Sequence, residues 1–470
     1  MIPRLLSKRP LLPIPNIPTC GDRPLTQLLE FIHDAPGYLR TLAIRHGPLV
    51  QLNVSRGRVV FVSGAAPTLQ VLADERHFGK GFHQSMGHAW KEEVPLRSIL
   101  GDGLLTSRGS DHRRQRRLLR PAFARERLPA YADIVHHEVD TVTSGWTNGA
   151  AVDLADVFAS ITLRVMARSL LGVPLSAADT DRIKGVLKRL MEGLVLDATT
   201  MLLLKRVGRL RVDRRRRVLD ELDDVVVQAV ERISLDEQDA DTALHRLVRA
   251  NGGRATEGSL ATPEVRSQIR TLLVTGFETV TTALTWVYHL LSLHPDIEGH
   301  LYERVRDAGV VRLDASCPVM QPTDFVNAVV AEALRLFPPI WLLVRQAQDD
   351  AVLAGTRIPG GTTLLVSPYV VQRDPAIWTD PDRFLPQRWL KFDGSEDQRL
   401  WTTAPGSYYP FGGGARVCIG ADFAFYEIGL IVERISRSWR LVAARSATLP
   451  TRASVTLRPR GDLSYVTIRR

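Results

Sequence analysis

The residues most suited to chemistry lie near the end of the chain, in a glycine-rich segment with one thiol. Segment Phe411–Gly420 reads FGGGARVCIG, so it begins with an aromatic residue and places Arg416 shortly before Cys418. Glycines allow a backbone to pass close to a planar group, and their amides can donate to a sulfur ligand. A thiolate presented in this way can ligate the iron of a haem and favour O–O cleavage. An inert thiol in a turn is the alternative.

A second group of candidates lies inside a long apolar helix. A threonine followed by a proline predicts that this helix begins at residue 262, and a later proline predicts its end near residue 294. Its middle, Thr275–Thr279, reads TGFET. A glycine within a helix costs about 1 kcal/mol relative to alanine, and the close approach of a flat ligand is one reason to keep it. Glu278 can relay protons and Thr279 can bond the preceding turn, although a plain core helix could also carry both.

Charged residues at helical spacing give further candidates. Glu332 and Arg335 lie on one face of an otherwise apolar helix, and Arg388 follows in a separate FLPQRW segment. His112 and Arg116 share one face of an earlier helix. Each pair could also be a solvated surface feature that contributes little to stability. A neighbouring face of the earlier helix carries three more arginines, Arg113, Arg117 and Arg120.

The elements that would hold these residues are mostly helical. The sequence predicts a hairpin over 49–62, helices from 110 to about 240 with breaks at Pro121, Pro129 and Pro174, the long helix, a helix from 323 to 338, and strand and turn signals within 355–367. Residues 369–414 show little periodicity and many prolines and tryptophans. Long ordered loops of this kind usually serve a function.

Composition and charge limit the classes of protein that fit. The chain has 470 residues, of which 44% are hydrophobic, and a net charge of +10, without a linker, repeat or low-complexity tract. We therefore predict a proline-rich N-terminal segment over residues 1–24 and a single domain over 25–470. Three dispersed cysteines argue against a disulfide framework or a zinc site and favour a reducing compartment. No aromatic or zinc signature accompanies the basic charge, so nucleic-acid binding is not indicated.

Two segments bear on membrane association. The first residues are interrupted by prolines and contain no continuous apolar stretch typical of a signal peptide or an anchor. Residues 271–293 are long enough to span a bilayer, but they stand alone and follow a polar turn. We interpret them as the central helix of a buried core. A cytoplasmic protein without stable membrane insertion is expected.

Taken in chain order, these motifs resemble those of the cytochrome P450 family, and the resemblance covers about residues 25–470. The cysteine segment matches F-x-x-G-x-R-x-C-x-G, the charged helix matches E-x-x-R, and the long helix matches the A/G-G-x-D/E-T oxygen-activation motif except at Thr275. The resemblance implies the following roles: Cys418 as axial thiolate, Phe411 and Arg416 beside it in haem binding, His112, Arg116 and Arg345 as propionate partners, Thr279 and Glu278 as catalytic residues, and Glu332, Arg335 and Arg388 as a structural triad.

The resemblance also implies a fold, a cofactor and partners. The fold would be mainly α with small β-sheets, a triangular prism with haem b between the long helix and the Cys418 loop. The enzyme would insert one atom of dioxygen into a hydrophobic organic substrate, such as a bacterial secondary metabolite. No flavin domain follows Cys418, so a separate ferredoxin and ferredoxin reductase would supply electrons, and an acidic ferredoxin would dock on Arg113, Arg117 and Arg120. A monomer is expected.

Three other functions are compatible with the sequence. The same fold could catalyse a non-oxygenating or peroxide-driven rearrangement or cyclisation. A haem sensor without enzymatic activity, or a membrane transporter built on residues 271–293, belongs to a different class. The expected walls of a substrate pocket are residues 79–104, the segment around 190–205, Leu272, Thr275, and Ile340 to Val344. These residues are mainly apolar, which favours a hydrophobic ligand.

Overall fold

The chain divides into two compact units, each assembled from separated segments. The computed structural model describes residues 13–20, 24–53, 58–80, 95–203, 217–224, 242–250, 263–307, 325–390, 405–445 and 448–470. Unit 1 comprises Met1–Val94, Ala331–Cys418 and Thr451–Arg458, and unit 2 comprises Pro95–Val330, Ile419–Pro450 and Pro459–Arg470. The single domain over residues 25–470 stays a prediction.

Helices dominate the described chain, as the sequence predicts. The helices are α1 (Pro24–His46), α2 (Ala65–Ala73), α3 (Pro95–Leu100), α4 (Gly109–Leu119), α5 (Leu128–Thr143), α6 (Leu154–Met166), α7 (Ala177–Leu203), α8 (Ala243–Ala250), α9 (Pro263–Leu293), α10 (Pro295–Asp307), α11 (Phe325–Leu336), α12 (Pro368–Val371) and α13 (Ala421–Ser438). The strands are β1 (Thr19–Cys20), β2 (Leu49–Leu52), β3 (Val59–Val62), β4 (Phe78–Gly79), β5 (Ala151–Asp153), β6 (Leu343–Ala347), β7 (Ala351–Leu353), β8 (Thr356–Ile358), β9 (Thr363–Val366), β10 (Trp439–Ala443), β11 (Thr451–Ala453), β12 (Leu457–Pro459) and β13 (Ser464–Arg469).

Unit 1 is built on a six-stranded mixed sheet in the order β1-β2-β3-β9-β6-β4. The predicted hairpin is present as antiparallel strands, with Leu49 opposite Val62, and its turn lies outside the described residues. Alternate residues of β3 enter two different apolar clusters, Val60 and Val62 in one and Val59 and Phe61 in the other. Because both faces of β3 are covered, this strand is a continuous apolar run.

Unit 2 is a helical assembly centred on α9. This helix runs from Pro263 to Leu293, 31 residues, and most of its side chains are buried. Its start lies within one residue of the predicted cap, and its end coincides with the predicted stop. Among the described residues, no helix is both long and apolar enough to cross a membrane.

The sequence prediction for residues 110–240 needs two corrections. Pro129 does not break a helix, because it occupies the first turn of α5, where a proline displaces no intrahelical hydrogen bond. The second correction concerns β5, a strand that lies inside the region predicted to be helical. It pairs with β13, and Ser464 stands opposite Asp153. A three-residue strand whose partner lies so far along the chain leaves no local signal.

Candidate active site

Cys418 lies at the exposed end of the glycine-rich segment, after the single 3₁₀ turn Gly414–Arg416. Its amide donates to the carbonyl of Phe411 at 2.9 Å. The amides of Gly412 and Val417 also donate to backbone carbonyls. These three amides therefore hold the loop's shape and do not point at the sulfur. The sequence analysis expected amides of the glycine-rich backbone to donate to the sulfur, and these three do not. Phe411 is half-buried.

The glycines of this loop have a packing reason. Gly414 has a φ of +63°, and a Cβ at this position would collide with the carbonyl of Leu72 at the end of α2. Gly413 approaches the Leu72 side chain, with its hypothetical Cβ 3.3 Å from the Leu72 Cβ. A left-handed conformation and a close approach together require glycine at residue 414. The loop is thereby seated on α2.

Two arginines of unit 1 assigned to the cofactor share one acidic neighbour. Arg416 Nε donates to Glu75 Oε1 at 2.5 Å, and the Arg416 side chain is only 10% exposed. Arg345, on β6, is buried and donates to the carbonyl of its neighbour Val344 at 3.0 Å. Burial lowers the pKa of Arg345, the Arg416 charge lowers it further, and Glu75 opposes both. The two guanidiniums therefore carry more positive charge than Glu75 balances.

The hydroxyls of α9 form a continuous ladder of hydrogen bonds to the preceding turn. Thr279 Oγ1 donates to the Thr275 carbonyl at 2.7 Å, and Thr275 Oγ1 donates to the Thr271 carbonyl at 2.6 Å. Thr271 and Ser267 repeat the pattern toward the start of the helix. Since a hydroxyl has one proton, each oxygen in the ladder keeps only acceptor capacity for a further partner.

In the middle of α9, accessibility is confined to one short patch. Between Thr271 and Leu291 every residue is buried except Thr275, Gly276 and Thr279, which are half-buried. Glu278 is buried, and its Oε1 lies 3.5 Å from the Thr282 hydroxyl, which can donate to it. The patch therefore presents two hydroxyl-bearing residues and a glycine, with a carboxylate behind them.

Gly276 is explained by a side chain of unit 2 that the sequence did not point to. A Cβ at residue 276 would lie 2.5 Å from the Met166 Cε and 2.6 Å from its Sδ. Met166 is the last residue of α6, and the next five residues, Ala167–Leu171, form a π-helical turn. The sequence had suggested the approach of a flat ligand as the reason for this glycine, whereas the thioether of Met166 already occupies the space.

Helix α4 has the two faces that the sequence predicts. His112 is buried and Arg116 is half-buried, whereas Arg113, Arg117 and Arg120, the residue that follows the helix, are exposed. Gln115, between the two faces, is buried and donates to the carbonyl of Asp102 at 2.9 Å. The helix is thus fixed on one side and offers a cationic surface on the other.

Glu332, Arg335 and Arg388 are in direct contact within unit 1. Arg335 binds the Glu332 carboxylate with two nitrogens, each at 2.9 Å, and Arg388 Nε donates to it at 3.0 Å. Arg335 also donates to the carbonyls of Gln372, Pro381 and Arg383. The amide of Leu385 and the indole of Trp389 add two more donors to Glu332, at 3.0 and 2.8 Å. The cluster ties α11 to the segment that leads toward the Cys418 loop.

The candidate residues are distributed over both units. The candidates in unit 1 are Cys418, Phe411, Arg416, Arg345, Glu332, Arg335 and Arg388. The candidates in unit 2 are Thr279, Glu278, His112 and Arg116. Sequence reasoning missed Glu75, Met166 and Trp389. Only Trp389 carried a signal, since it follows Arg388 directly. Cys317, residues 81–94 and 204–205 of the expected pocket walls, and the side chains of 193–203 lie outside the described residues.

The chain matches the family model for cytochrome P450 over residues 15–462. Among curated proteins it is 34% identical to cyclooctatin synthase of Streptomyces melanosporofaciens, covering 84% of this chain and 83% of the relative. It is 32% identical to pentalenene oxygenase of Streptomyces avermitilis, over 88% and 89% of the two chains. It is also 30% identical to cyclooctat-9-en-7-ol 5-monooxygenase of S. melanosporofaciens, over 86% and 84%.

Solved structures share the fold. The chain resembles CYP175A1 of Thermus thermophilus with a TM-score of 0.71 and 26% identity, covering 96% of this chain and 100% of that one. It also superposes on the cytochrome P450DA haem domain with a TM-score of 0.79 at 24% identity, over 98% and 99% of the chains. The chain therefore belongs to the cytochrome P450 family and is a haem-iron cytochrome P450 monooxygenase.

Proposed function

We propose that this protein is a haem b monooxygenase that oxygenates a hydrophobic terpenoid, with electrons from a separate ferredoxin and ferredoxin reductase. The observation that carries the substrate class is the similarity to three relatives at 30–34% identity whose names refer to cyclooctatin, pentalenene and cyclooctat-9-en-7-ol. The haem is non-covalent in this proposal, because three dispersed cysteines provide no C-x-x-C-H attachment site.

The residues present in each unit fit a haem. In unit 1 an exposed thiol follows a loop fixed by backbone hydrogen bonds, and the excess positive charge of Arg345 and Arg416 suits a carboxylate such as a haem propionate. In unit 2 the accessible patch of α9 offers the half-buried Thr275 and Thr279 to a ligand, while Met166 occupies the space at Gly276. A haem bound through Cys418 would supply the redox chemistry that activates dioxygen.

The residues of the chain then have separate tasks. Cys418 Sγ is the iron ligand, and Arg345, Arg416, His112 and Arg116 hold the propionates. Thr279 Oγ1, whose proton is bonded to the Thr275 carbonyl, accepts a hydrogen bond from a water or substrate group in the patch. Glu278 holds the proton that the reaction consumes, and the Thr282 hydroxyl is positioned to keep its carboxylate in place.

The ligand assignment is tested by spectroscopy. Reduced protein with carbon monoxide should show the red-shifted Soret band of a thiolate-ligated haem, and Cys418→Ser should abolish it. Cys20→Ser is the matched control, because Cys20 is buried and lies 3.3 Å from the Tyr38 hydroxyl. A normal band in the Cys418 variant would contradict the proposal.

Oxygenation is tested by the coupling of product to reductant. Thr279→Ala should keep haem and substrate binding but lower product formed per electron pair and raise peroxide release. Thr285→Ala is the control, because Thr285 makes the same bond to the preceding turn, at 2.7 Å, from a buried position. Unchanged coupling in both Thr279→Ala and Glu278→Gln would favour the non-oxygenating or peroxide-driven alternative.

Substrate class and partner each have a direct test. Cyclic terpene hydrocarbons and alcohols should shift the haem spin state at lower concentrations than fatty acids of equal carbon number. If fatty acids bind more tightly, the terpenoid assignment is wrong.

The exposed arginines Arg113, Arg117 and Arg120 are assigned to an acidic ferredoxin. Reversing their charges should therefore slow the reduction of the haem and flatten the salt dependence of its rate. An unchanged rate at low salt would place the docking surface elsewhere.

A further inference from the structure

Glu75 occupies a position beside the ligand loop that no established role explains. It follows α2 by two residues, and its amide donates to the carbonyl of Ala73 at 3.2 Å. Leu72 of the same helix end packs against Gly413 and Gly414 of the Cys418 loop. The backbone that carries Glu75 and the backbone that carries Arg416 are therefore fixed to each other.

The contact between the two side chains is sheltered from solvent on the arginine side. Arg416 Nε lies 2.5 Å from Glu75 Oε1, and the side chains are 10% and 32% exposed. A charge-assisted bond of this kind is shorter and stronger than a neutral one, and it restricts the guanidinium to one orientation. Glu75 thus determines where the remaining nitrogens of Arg416 point.

Glu75 also sets the local charge. Arg345 is buried, and among the described residues it forms no ion pair with an acid. Glu75 is near enough to act on Arg345 through its charge, as Arg416 is. One carboxylate therefore partly neutralises two guanidiniums, and one of them, Arg416, lies two residues before Cys418 along the chain.

We propose that Glu75 is a positioning residue for the haem: it orients Arg416 toward a propionate and holds down the reduction potential of the iron. The second effect follows from electrostatics, since reduction adds an electron and a nearby negative charge opposes it. Partial exposure of the carboxylate to water weakens the effect without removing it. This inference rests on the proposed haem site and goes beyond it, because none of the sequence motifs described above includes Glu75.

The two roles can be separated by substitution. Glu75→Gln removes the charge but keeps an oxygen that accepts from Arg416 Nε, so the reduction potential should rise while haem retention changes little. Glu75→Ala removes both, so the potential should rise and haem should transfer to apomyoglobin roughly tenfold faster, as expected for one lost charge-assisted bond. Glu75→Asp keeps the charge and should restore the potential of the wild type.

Asp74→Asn is the matched control. Asp74 is the adjacent carboxylate, but it binds His77 at 2.7 Å and not Arg416. Asp74→Asn changes the net charge of the protein by the same amount as Glu75→Gln. It should nevertheless leave the reduction potential and the haem transfer rate unchanged. Equal shifts in Asp74→Asn and Glu75→Gln would mean that only bulk charge matters, and the inference would be wrong.

The outcome is distinguishable from a failure of the proposed function. Wild-type protein that binds no haem, or that shows no thiolate-type carbon monoxide band, contradicts the haem site itself and Glu75's role with it. Wild-type protein with a normal band, together with an unchanged potential in Glu75→Gln, contradicts only the inference about Glu75. The measurements are a spectroelectrochemical titration and a haem transfer assay, and neither depends on turnover.

Discussion

Two buried glutamates, one in each unit, have opposite surroundings. Glu332 on α11 is fully buried and receives five hydrogen bonds, from Arg335, Arg388, Leu385 and Trp389. Glu427 on α13 is 1% exposed, and neither of its oxygens has a hydrogen-bond partner among the described residues. Burial raises the pKa of Glu427 well above its usual value.

The difference shows that burial alone does not set the charge of a carboxyl group. Around Glu332, hydrogen-bond donors and two guanidinium charges replace the water that the carboxylate lost on burial. Glu427 lost its water without replacement, so its neutral form is favoured. The first glutamate fixes one arrangement of a long loop segment, whereas the second adds a titratable group to an apolar helix interface.

The largest effect should follow from removing the charge of Glu332. Glu332→Gln keeps the size of the side chain but leaves Arg335 and Arg388 without a counterion, which costs about 3–5 kcal/mol of unfolding free energy. Urea unfolding at neutral pH measures the loss. A change below about 1 kcal/mol would mean that the backbone carbonyls around Arg335 suffice to hold its charge.

Removing a single donor should cost less. Trp389→Phe deletes the indole N–H that lies 2.8 Å from Glu332 and keeps an aromatic ring against Tyr408, whose ring centroid is 4.7 Å away. The expected loss is about 2 kcal/mol, because the acceptor is charged. Trp378→Phe is the comparison: Trp378 also lies in this aromatic cluster, but its Nε1 has no partner among the described residues. Equal losses in both variants would assign the effect to packing.

Glu427 should reverse the usual dependence of stability on pH. Its folded pKa lies above its unfolded value, so the folded state keeps a proton that the unfolded state loses as pH rises above about 4.5. Stability from this group is therefore complete at low pH and declines with rising pH, by at most about 1.4 kcal/mol per pH unit. Glu427→Gln should match the wild type near pH 5 and become the more stable protein toward pH 8. A constant difference between the two across this range would show that Glu427 has a partner in solution.

The last prediction concerns His289, a buried group with partners that is still kept neutral. Its Nδ1 lies 2.7 Å from the Tyr465 hydroxyl, and its Nε2 accepts from the amide of Leu449 at 3.3 Å. Burial, helped by the charge of His294, lowers the pKa of His289 to about 4. Its contribution is thus full above about pH 6.5 and is lost as pH falls toward 4. His289→Gln should flatten the acid side of the stability curve relative to wild type, and parallel curves would contradict this.

The sequence predicted what depends on local pattern. The start at Pro263 and the stop after Leu293 define α9, and the glycine-rich string around Cys418 predicts a ligand loop. The helix spacing of His112 and Arg116, with Arg113 and Arg117 on another face, is also found in α4. These features can be predicted from the sequence because each depends only on residues that are close together along the chain.

What the sequence could not predict depends on contacts between distant residues. From the sequence, Gly276 is expected to leave room for a ligand, but in the structure the Met166 thioether occupies that space. Glu75 lies in a short charged stretch that resembles any helix end, and only the fold brings it to Arg416. The same holds for β5, since its pairing with β13 cannot be read from three residues.

The segmented composition of unit 1 also sets the timing of its assembly during synthesis. Strand β3 pairs in parallel with β9, Val59 opposite Thr363, so the early hairpin lacks its inner neighbour until most of the chain has left the ribosome. Pairings between such distant segments form slowly, and an uncovered strand edge is prone to aggregation meanwhile. Because Cys418 emerges later still, we expect this protein to capture its cofactor only after both of these strands have been synthesised. The yield of active protein should therefore depend on chaperone capacity as well as on the supply of haem.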